Sequence, residues 1–293
     1  MEVRSIATNL YRVPLKKAHA DAMHGDMHQV ELILVRMTMD NGLVSTGYSY
    51  TIGKGGKAIK ALIDEELAGL VVGEDPHKVE SLWERMWWAV HWVGRGGVAS
   101  FAIAAIDMAL WDAIGKEARQ PLGYLLGLHR EKVPVYGSGV DLSLEIDELV
   151  EEVGQFVERG FKAVKIKVGK DDPEEDLKRV RAVKEALGRG TYLPNSKGEP
   201  HIAEGVGSRK QNITLMVDAN MKWDVTRAIS MGKELERLGV FWLEEPLIPD
   251  DIEGHAEVAD ALSMAVAAGE NLHTKYEFKN YIAARALDIV QLD

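Results

Sequence analysis

ITLMVDAN, residues 213–220, is a short apolar run that ends in a carboxylate, Asp218. VFWLEEP at 240–246 repeats the arrangement with Glu244, MAVAAGEN at 264–271 with Glu270, and DIVQLD at 288–293 with Asp293. The acids lie 26, 26 and 23 residues apart, the length of one strand plus one helix with short connections. Each unit therefore carries a carboxylate at the same end of its strand.

Working outward, AVKIKVG at 163–169 and KVPVYGSG at 132–139 add two earlier strands. The expected strands are 132–139, 163–168, 213–217, 240–243, 264–267 and 288–292, with helices over 144–158, 173–187, 224–238, 251–261 and 275–286 between them. Buried apolar strands alternating with helices indicate a parallel sheet covered by helices. A closed barrel and an open doubly wound sheet both satisfy that pattern. Acids at the ends of four strands favour the barrel, whose C-terminal rim gathers those ends around one site. No glycine-rich nucleotide fingerprint follows any of these strands. Between Gly188 and Asn212 the polar, Gly- and Pro-containing segment GRGTYLPNSKGEPHIAEGVGSRKQN breaks the spacing; it reads as a surface insertion at the rim opposite the acids.

The first half has a different grammar. Val30–Thr38 and Val44–Thr51 flank the Asp40-Asn41-Gly42 turn and form a hairpin, preceded by KKAHADAMHGDMHQ, read as a histidine-containing loop. Helices are expected over 58–69, 76–92 and 98–114, the last apolar on most of its surface and interrupted by Asp107 and Asp112. A capping or salt-bridge role for these two aspartates is favoured over catalysis, because a buried carboxylate needs donors.

Composition sets outer bounds. The 293 residues include 46% hydrophobic residues, enough for one large domain or two smaller ones. A formal charge of -11 argues against nucleic acid and anionic membrane as partners. The absence of cysteine excludes disulfides, zinc thiolates and thiol nucleophiles. No signal-peptide core opens the sequence, so a cytoplasmic location is expected.

Asp218, Glu244 and Glu270 form the best candidate metal site. Three oxygen donors without cysteine suit a hard divalent cation such as Mg2+. Any one strand-end acid is as often a cap or a lysine partner; three in register shift the balance toward coordination. Asp224, just before a helix, reads as its cap. Lys165 and Lys167 share one strand face while Ile166 and Val168 share the other. Beside a metal, one lysine could bind a substrate carboxylate and the other abstract a proton. Such a pair answers a demanding reaction, because removing a proton alpha to a carboxylate builds an enediolate whose charge needs a cation close by.

VKIKVG at 164–169, MVDAN at 216–220, WLEEP at 242–246, AGEN at 268–271 and VQLD at 290–293, together with AIDMALWDAIGK at 105–116, resemble the enolase superfamily and, within it, the mandelate racemase subgroup. The resemblance runs over nearly the whole chain. It implies a TIM-type (β/α) barrel over 126–293, incomplete after the sixth strand and carrying the 188–212 insertion, behind an N-terminal α+β capping domain over 1–125. It also implies Mg2+ held by Asp218, Glu244 and Glu270, with Glu245 beside them in support. Lys167 becomes the general base and Lys165 the electrostatic partner of the substrate carboxylate, while Asn220 contacts substrate. Glutamate in AGEN separates the chain from the muconate-lactonising and dipeptide-epimerase branches, where aspartate is usual.

In this subgroup Asp293 would orient a histidine about 27 residues further on, beyond the 293 residues; His255 and His273 do not replace it. His255 is expected to pack or lie at the surface, whereas His273 could support the site from the rim. Substrate selection maps by resemblance to His19–His28 and Tyr48–Lys57, with His24 and Tyr50 the expected contacts. These polar segments suit a hydroxylated acid, and AAGENLHTKYEF resembles the aldarate dehydratases. The expected activity is dehydration of a sugar acid by a carbon-oxygen lyase. A racemase or epimerase of a 2-hydroxy acid, or an inactive fragment or scaffold, are the alternatives. The expected partner is a small-molecule carboxylate, and the expected assembly a homo-oligomer.

Overall fold

A computed structural model describes residues 1–139, 141–189, 192–194, 200–202 and 213–293. By packing the chain divides into two units, residues 1–18 with 27–133 and residues 19–26 with 134–293.

The first unit is built on an antiparallel sheet, β1 (Val3–Asp21), β2 (Gly25–Met39) and β3 (Val44–Thr51), in that order. Alternation along β2 sends Ile33, Val35, Met37 and Met39 into the core with no exposed surface, the period-2 pattern of a half-buried strand. The Asp40-Asn41-Gly42 turn forms as expected, with the Asn41 side chain accepting from the Leu43 N–H at 3.0 Å and Gly42 at φ 83°. The stretch 16–29, expected as a loop, is instead mostly strand: β1 and β2 run on to a tight turn at Ala22–His24. Backbone pairing overrides its weak hydrophobic period, and its tip, residues 19–26, packs with the second unit.

Helices follow: α1 (Gly56–Leu62), continued through a π-helical turn (Ile63–Leu67) into α2 (Ala68–Val71), then α3 (Val79–Val90), α4 (Val98–Ala118) and α5 (Leu122–Leu125). The apolar length of α4 would suffice to cross a membrane, yet half of it is buried inside the protein. It lies on β3, where Gly47 faces the backbone of Ala105 and Ala109 so closely that any Cβ would collide. Small residues on both elements, Ala102, Ala105 and Ala109 against Ser45, Gly47 and Ser49, make that approach possible.

The two aspartates of α4 differ. Asp112 is structural: it accepts from the Thr46 N–H and from Lys116, both at 2.7 Å. Burial raises the Asp107 carboxyl to about 6, and the charge of Glu80 on α3 adds to the shift. A carboxyl raised on folding contributes stability that is complete below its ordinary value of 3.8 and lost as pH climbs through about 6. Asp107→Asn is therefore expected to raise the thermal midpoint by roughly 2–4 °C near pH 7.5, a figure discounted for the half-exposed position. Thermal unfolding near pH 3.5 checks it: an equal gain at both pH values would contradict the assignment.

Among the described residues the second unit is built on a parallel sheet of six strands: β4 (Gly137–Ser138), β5 (Ala163–Lys167), then, after the short antiparallel ribbon β6 (Tyr192–Pro194) and β7 (Pro200–Ile202), β8 (Thr214–Asp218), β9 (Trp242–Glu244), β10 (Ala265–Ala268) and β11 (Ile289–Val290). The ribbon is all that is described of residues 190–212, so the expected surface position of the insertion lies largely outside the described residues. Helices α6 (Ile146–Glu158), α7 (Pro173–Arg189), α8 (Val225–Arg237), α9 (Ile252–Ala261) and α10 (Lys275–Ala283) connect the strands. Each of the six pairs with its neighbours in chain order. That monotonic order is the succession of a (β/α) barrel, whereas a doubly wound sheet reverses direction at a switch point.

Val164, Ile166, Val168, Leu215, Val217, Leu243 and Val266 join Leu149, Val153, Val180, Met231, Leu235 and Val258 of the helices in one core. Alternation then obliges Lys165, Lys167, Met216 and Asp218 to face away from the helices. The first strand departs from expectation. Only Gly137–Ser138 pairs, and Val133 and Val135 are 74% and 68% exposed; Pro134 between them has no N–H to give a ladder.

Candidate metal and proton-transfer site

Register brings the site together. Lys167 pairs with Asp218 across β5 and β8, and Asp218 with Glu244 across β8 and β9. Glu270 follows β10 by two residues and Asp293 follows β11 by three. Asp218 has no exposed surface and Glu244 has 1%. Two lysines meet these acids. Lys167 Nζ lies 2.6 Å from Asp218 Oδ2, and Lys165 Nζ lies 3.4 Å from the same oxygen while also donating to Glu244 Oε1. The Trp242 indole N–H donates to the other Glu244 oxygen at 3.1 Å.

Charge and burial compete at each group. Burial alone would push the Asp218 carboxyl up, but Lys167, Lys165 and the Asn220 N–H hold it below the usual range. For Glu244, burial and the charge of Asp218 prevail over the bond from Lys165, and its carboxyl is raised. Burial would lower the Lys165 ammonium; Asp218 and Glu244 outweigh it and hold the ammonium above the ordinary lysine range. Glu245, 3% exposed, is pushed up to about 8 by burial, despite the Asn271 side chain donating to it at 2.7 Å and with Glu270, Asp218 and Glu244 adding repulsion. Glu270 is exposed by area, yet protein packed around its carboxyl and the charge of Asp218 raise it.

The donors fit a divalent cation in type and charge. Four carboxylates, Asp218, Glu244, Glu245 and Glu270, repel one another, and the first, second and fourth feel the charge of Lys165 or Lys167. Among the described residues Glu245 Oε2 and Asn220 Oδ1 are buried without a hydrogen-bond partner. The fit does not extend to a ready cage: among the described residues no three His, Asp or Glu groups are disposed to hold a metal ion. Lys165 and Lys167 instead stand among these acids, paired with Asp218 and Glu244.

Asn220 enters through its backbone, at φ 42°, where its N–H donates to Asp218 Oδ1 at 2.9 Å. Glu245 is also left-handed, at φ 38°, with its carbonyl accepting from Met221. His24 belongs to the 19–26 tip and is bonded to Asp21 at 2.8 Å, whereas Tyr50 lies in the first unit, opposite Leu32 and 43% exposed. His273 is engaged by Glu277, which accepts from its N–H at 2.6 Å. His255 packs as expected, 1% exposed, bonded to the Asp251 carbonyl and edge-on to Tyr281. Asp224 caps α8 as expected, accepting from the Arg227 N–H at 2.7 Å. Asn271 was not foreseen; its place beside Glu270 in AGEN was the available signal.

A sequential β/α sheet with Lys-x-Lys on one strand and acids ending the next three, in a chain with a separate antiparallel-sheet unit, defines an enolase-type protein. The chain belongs to the mandelate racemase / muconate lactonizing enzyme family: that family's N-terminal domain matches residues 4–127, and the enolase C-terminal domain-like family matches 148–194 and 200–293. It is 40% identical over 291 residues to the 3,6-anhydro-alpha-L-galactonate cycloisomerase of Streptomyces coelicolor, covering 99% of this chain and 74% of that protein. It is 38% identical over 266 residues to the L-talarate/galactarate dehydratase of Salmonella typhimurium, covering 90% of this chain and 61% of that enzyme. The chain thus spans less than two thirds of the Salmonella protein. The crystal structure of the same dehydratase with Mg and L-lyxarohydroxamate superposes with a TM-score of 0.87 at 35% identity, covering 99% of this chain and 70% of that one.

Proposed function

We propose that the protein abstracts the proton alpha to the carboxylate of a sugar acid and expels the beta oxygen, with Asp218, Glu244 and Glu270 holding Mg2+ and Glu245 supporting them. When bound, the metal supplies positive charge to the substrate carboxylate and so stabilises the enediolate. Lys167, on the inward face of β5, gives up its ammonium proton to solvent and its bond to Asp218, and as the neutral amine takes the alpha proton. Lys165, buried and held cationic between Asp218 and Glu244, faces the substrate carboxylate and opposes its growing charge. Asn220 Oδ1, a buried acceptor without a partner, receives a substrate hydroxyl. The observation that carries this reading is the register Lys167–Asp218–Glu244 across three adjacent strands, which puts base, cation and acids on one face.

Two leaving groups fit the same proton transfer. In a dehydration the beta hydroxyl departs as water. The identity with the Streptomyces cycloisomerase favours a second reading, in which the beta oxygen is an ether bridge of an anhydro acid and stays attached after its C–O bond breaks, so that no atoms are lost. Incubation of the Mg2+-loaded protein with open-chain and anhydro sugar acids, followed by mass spectrometry and a 2-keto-3-deoxy acid assay, separates them. Product lighter by one water from an open-chain acid supports dehydration; product of unchanged mass from an anhydro acid supports ring opening. Absence of both products sinks the proposal. We further propose a cytoplasmic homo-oligomer, in keeping with the acidic charge; sedimentation velocity would contradict the assembly by finding a monomer.

A further inference from the structure

The loop after β5, residues 168–172, is held from several directions. The Val168 N–H donates to the Asp218 carbonyl at 2.9 Å. Asp176, on the first turn of α7 and with no exposed surface, accepts from the Gly169 N–H at 2.9 Å and from the Lys170 N–H at 3.1 and 3.2 Å. From α8, Arg227 donates to the Asp171 carbonyl at 2.6 Å, and from the turn before α8 Lys222 pairs with the Asp171 carboxylate at 3.1 Å. Gly169 itself, at φ 112°, leaves no room for a side chain: an added Cβ would stand 2.7 Å from Ala22 Cβ and 3.2 Å from the Ala219 carbonyl.

Asp176 is the costly member of this arrangement. Burial raises its carboxyl even though two amides and the nearby charges of Arg179 and Arg227 favour the ionised form. Glu174 and Glu175, its exposed neighbours on the same turn, would serve the helix dipole equally well without burial. A buried carboxylate spent on two consecutive amides implies that the position of those amides matters.

We infer that Asp176 is a positioning residue for Lys167: by clamping the Gly169 and Lys170 amides it fixes where β5 ends and therefore where the lysine ammonium stands against Asp218. This rests on Lys167 being the base of the proposed reaction, so its test includes a readout that needs no turnover.

In the full chain, amide hydrogen exchange and the NMR signal of the Lys167 ammonium are compared for wild type, Asp176→Ala and Asp176→Asn. In Asp176→Ala, exchange at Gly169 and Lys170 is expected to quicken about 10- to 100-fold, the loss that matches one hydrogen bond to a charged group. The Lys167 ammonium signal, sheltered by its bond to Asp218, is expected to vanish. Asp176→Asn keeps an acceptor oxygen and is expected to restore the signal. On a substrate that wild type turns over, kcat of Asp176→Ala is expected to fall about 100-fold, with KM within about threefold and Asn recovering most of the loss.

An unchanged Lys167 signal in a folded Asp176→Ala protein overturns the inference, as does faster exchange with unchanged kcat. If Asp176→Ala does not fold, Asp176→Glu keeps the charge and displaces the carboxylate; wild-type Lys167 signal and kcat in that variant also overturn it. Wild type without turnover on any sugar acid counts against the proposed reaction instead, and the exchange and ammonium readouts still decide the positioning role.

Discussion

Glu244→Ala is expected to weaken Mg2+ binding at least about 100-fold, beyond the 10- to 100-fold that loss of a supporting residue costs a metal site. Glu244 is 1% exposed and its carboxyl is raised by burial and by Asp218, so in the metal-free protein its charge is poorly accommodated. A divalent cation relieves that condition, and affinity should therefore depend on it heavily. Folding should suffer less. Lys165 loses its bond to Glu244 but remains 3.4 Å from Asp218, and the repulsion between the two acids disappears with the mutation. Titration calorimetry with Mg2+ and a thermal melt without it make the comparison. Unchanged metal affinity would remove Glu244 from the ligand set.

Lys167→Met separates the chemistry from the metal. Removing a positioned general base costs about 10²–10⁴-fold in rate, and a loss in kcat of that size is expected on any sugar acid the protein accepts. Metal affinity should move the other way. Lys167 is the cation nearest to Asp218, at 2.6 Å, and its removal makes the acid cluster more negative, so Mg2+ should bind as tightly as in wild type or more tightly. Without metal the variant should be less stable by about 1–3 kcal/mol, below the usual 3–5 kcal/mol for breaking a buried pair, because Lys165 and the Asn220 N–H still face Asp218. Kinetics, calorimetry and unfolding of one preparation supply the three values. A fall in Mg2+ affinity comparable with that of Glu244→Ala would contradict the division of roles.

The strand-end acids were legible because a regular repeat of strand and helix converts a spacing of 26 residues into adjacency, and Lys165 and Lys167 because a strand puts residues two apart on one face. The antiparallel β2–β3 hairpin was equally plain from its turn residues. Other features were hidden by physics that a sequence does not display. Residues 16–29 lack the alternation of a half-buried strand, since their side chains are mostly exposed or half-exposed and backbone pairing alone holds them. KVPVY alternates like a strand but carries a proline where a ladder needs a donor.

Asp176 was invisible for another reason. It stands third in a run of three acids that opens α7, and nothing in the run tells which one turns inward to the amides of the preceding loop. The neutralisation of Asp218 and Glu244 by lysines could not be read either, because it depends on register across three strands. Spacing alone leaves each acid free to be a ligand, a cap or an ion-pair partner.

In the proposed reaction Lys167 removes the proton alpha to a sugar-acid carboxylate at a Mg2+ site built from strand ends. Incubating the intact protein with Mg2+ and a panel of sugar acids in deuterium oxide, with proton NMR at the alpha carbon, tests it most directly. At least one acid is expected to lose its alpha-proton signal, by exchange or by elimination, and Lys167→Met is expected to abolish the loss while still binding Mg2+. Retention of every alpha proton by the folded, Mg2+-loaded protein, or undiminished loss in Lys167→Met, would contradict it.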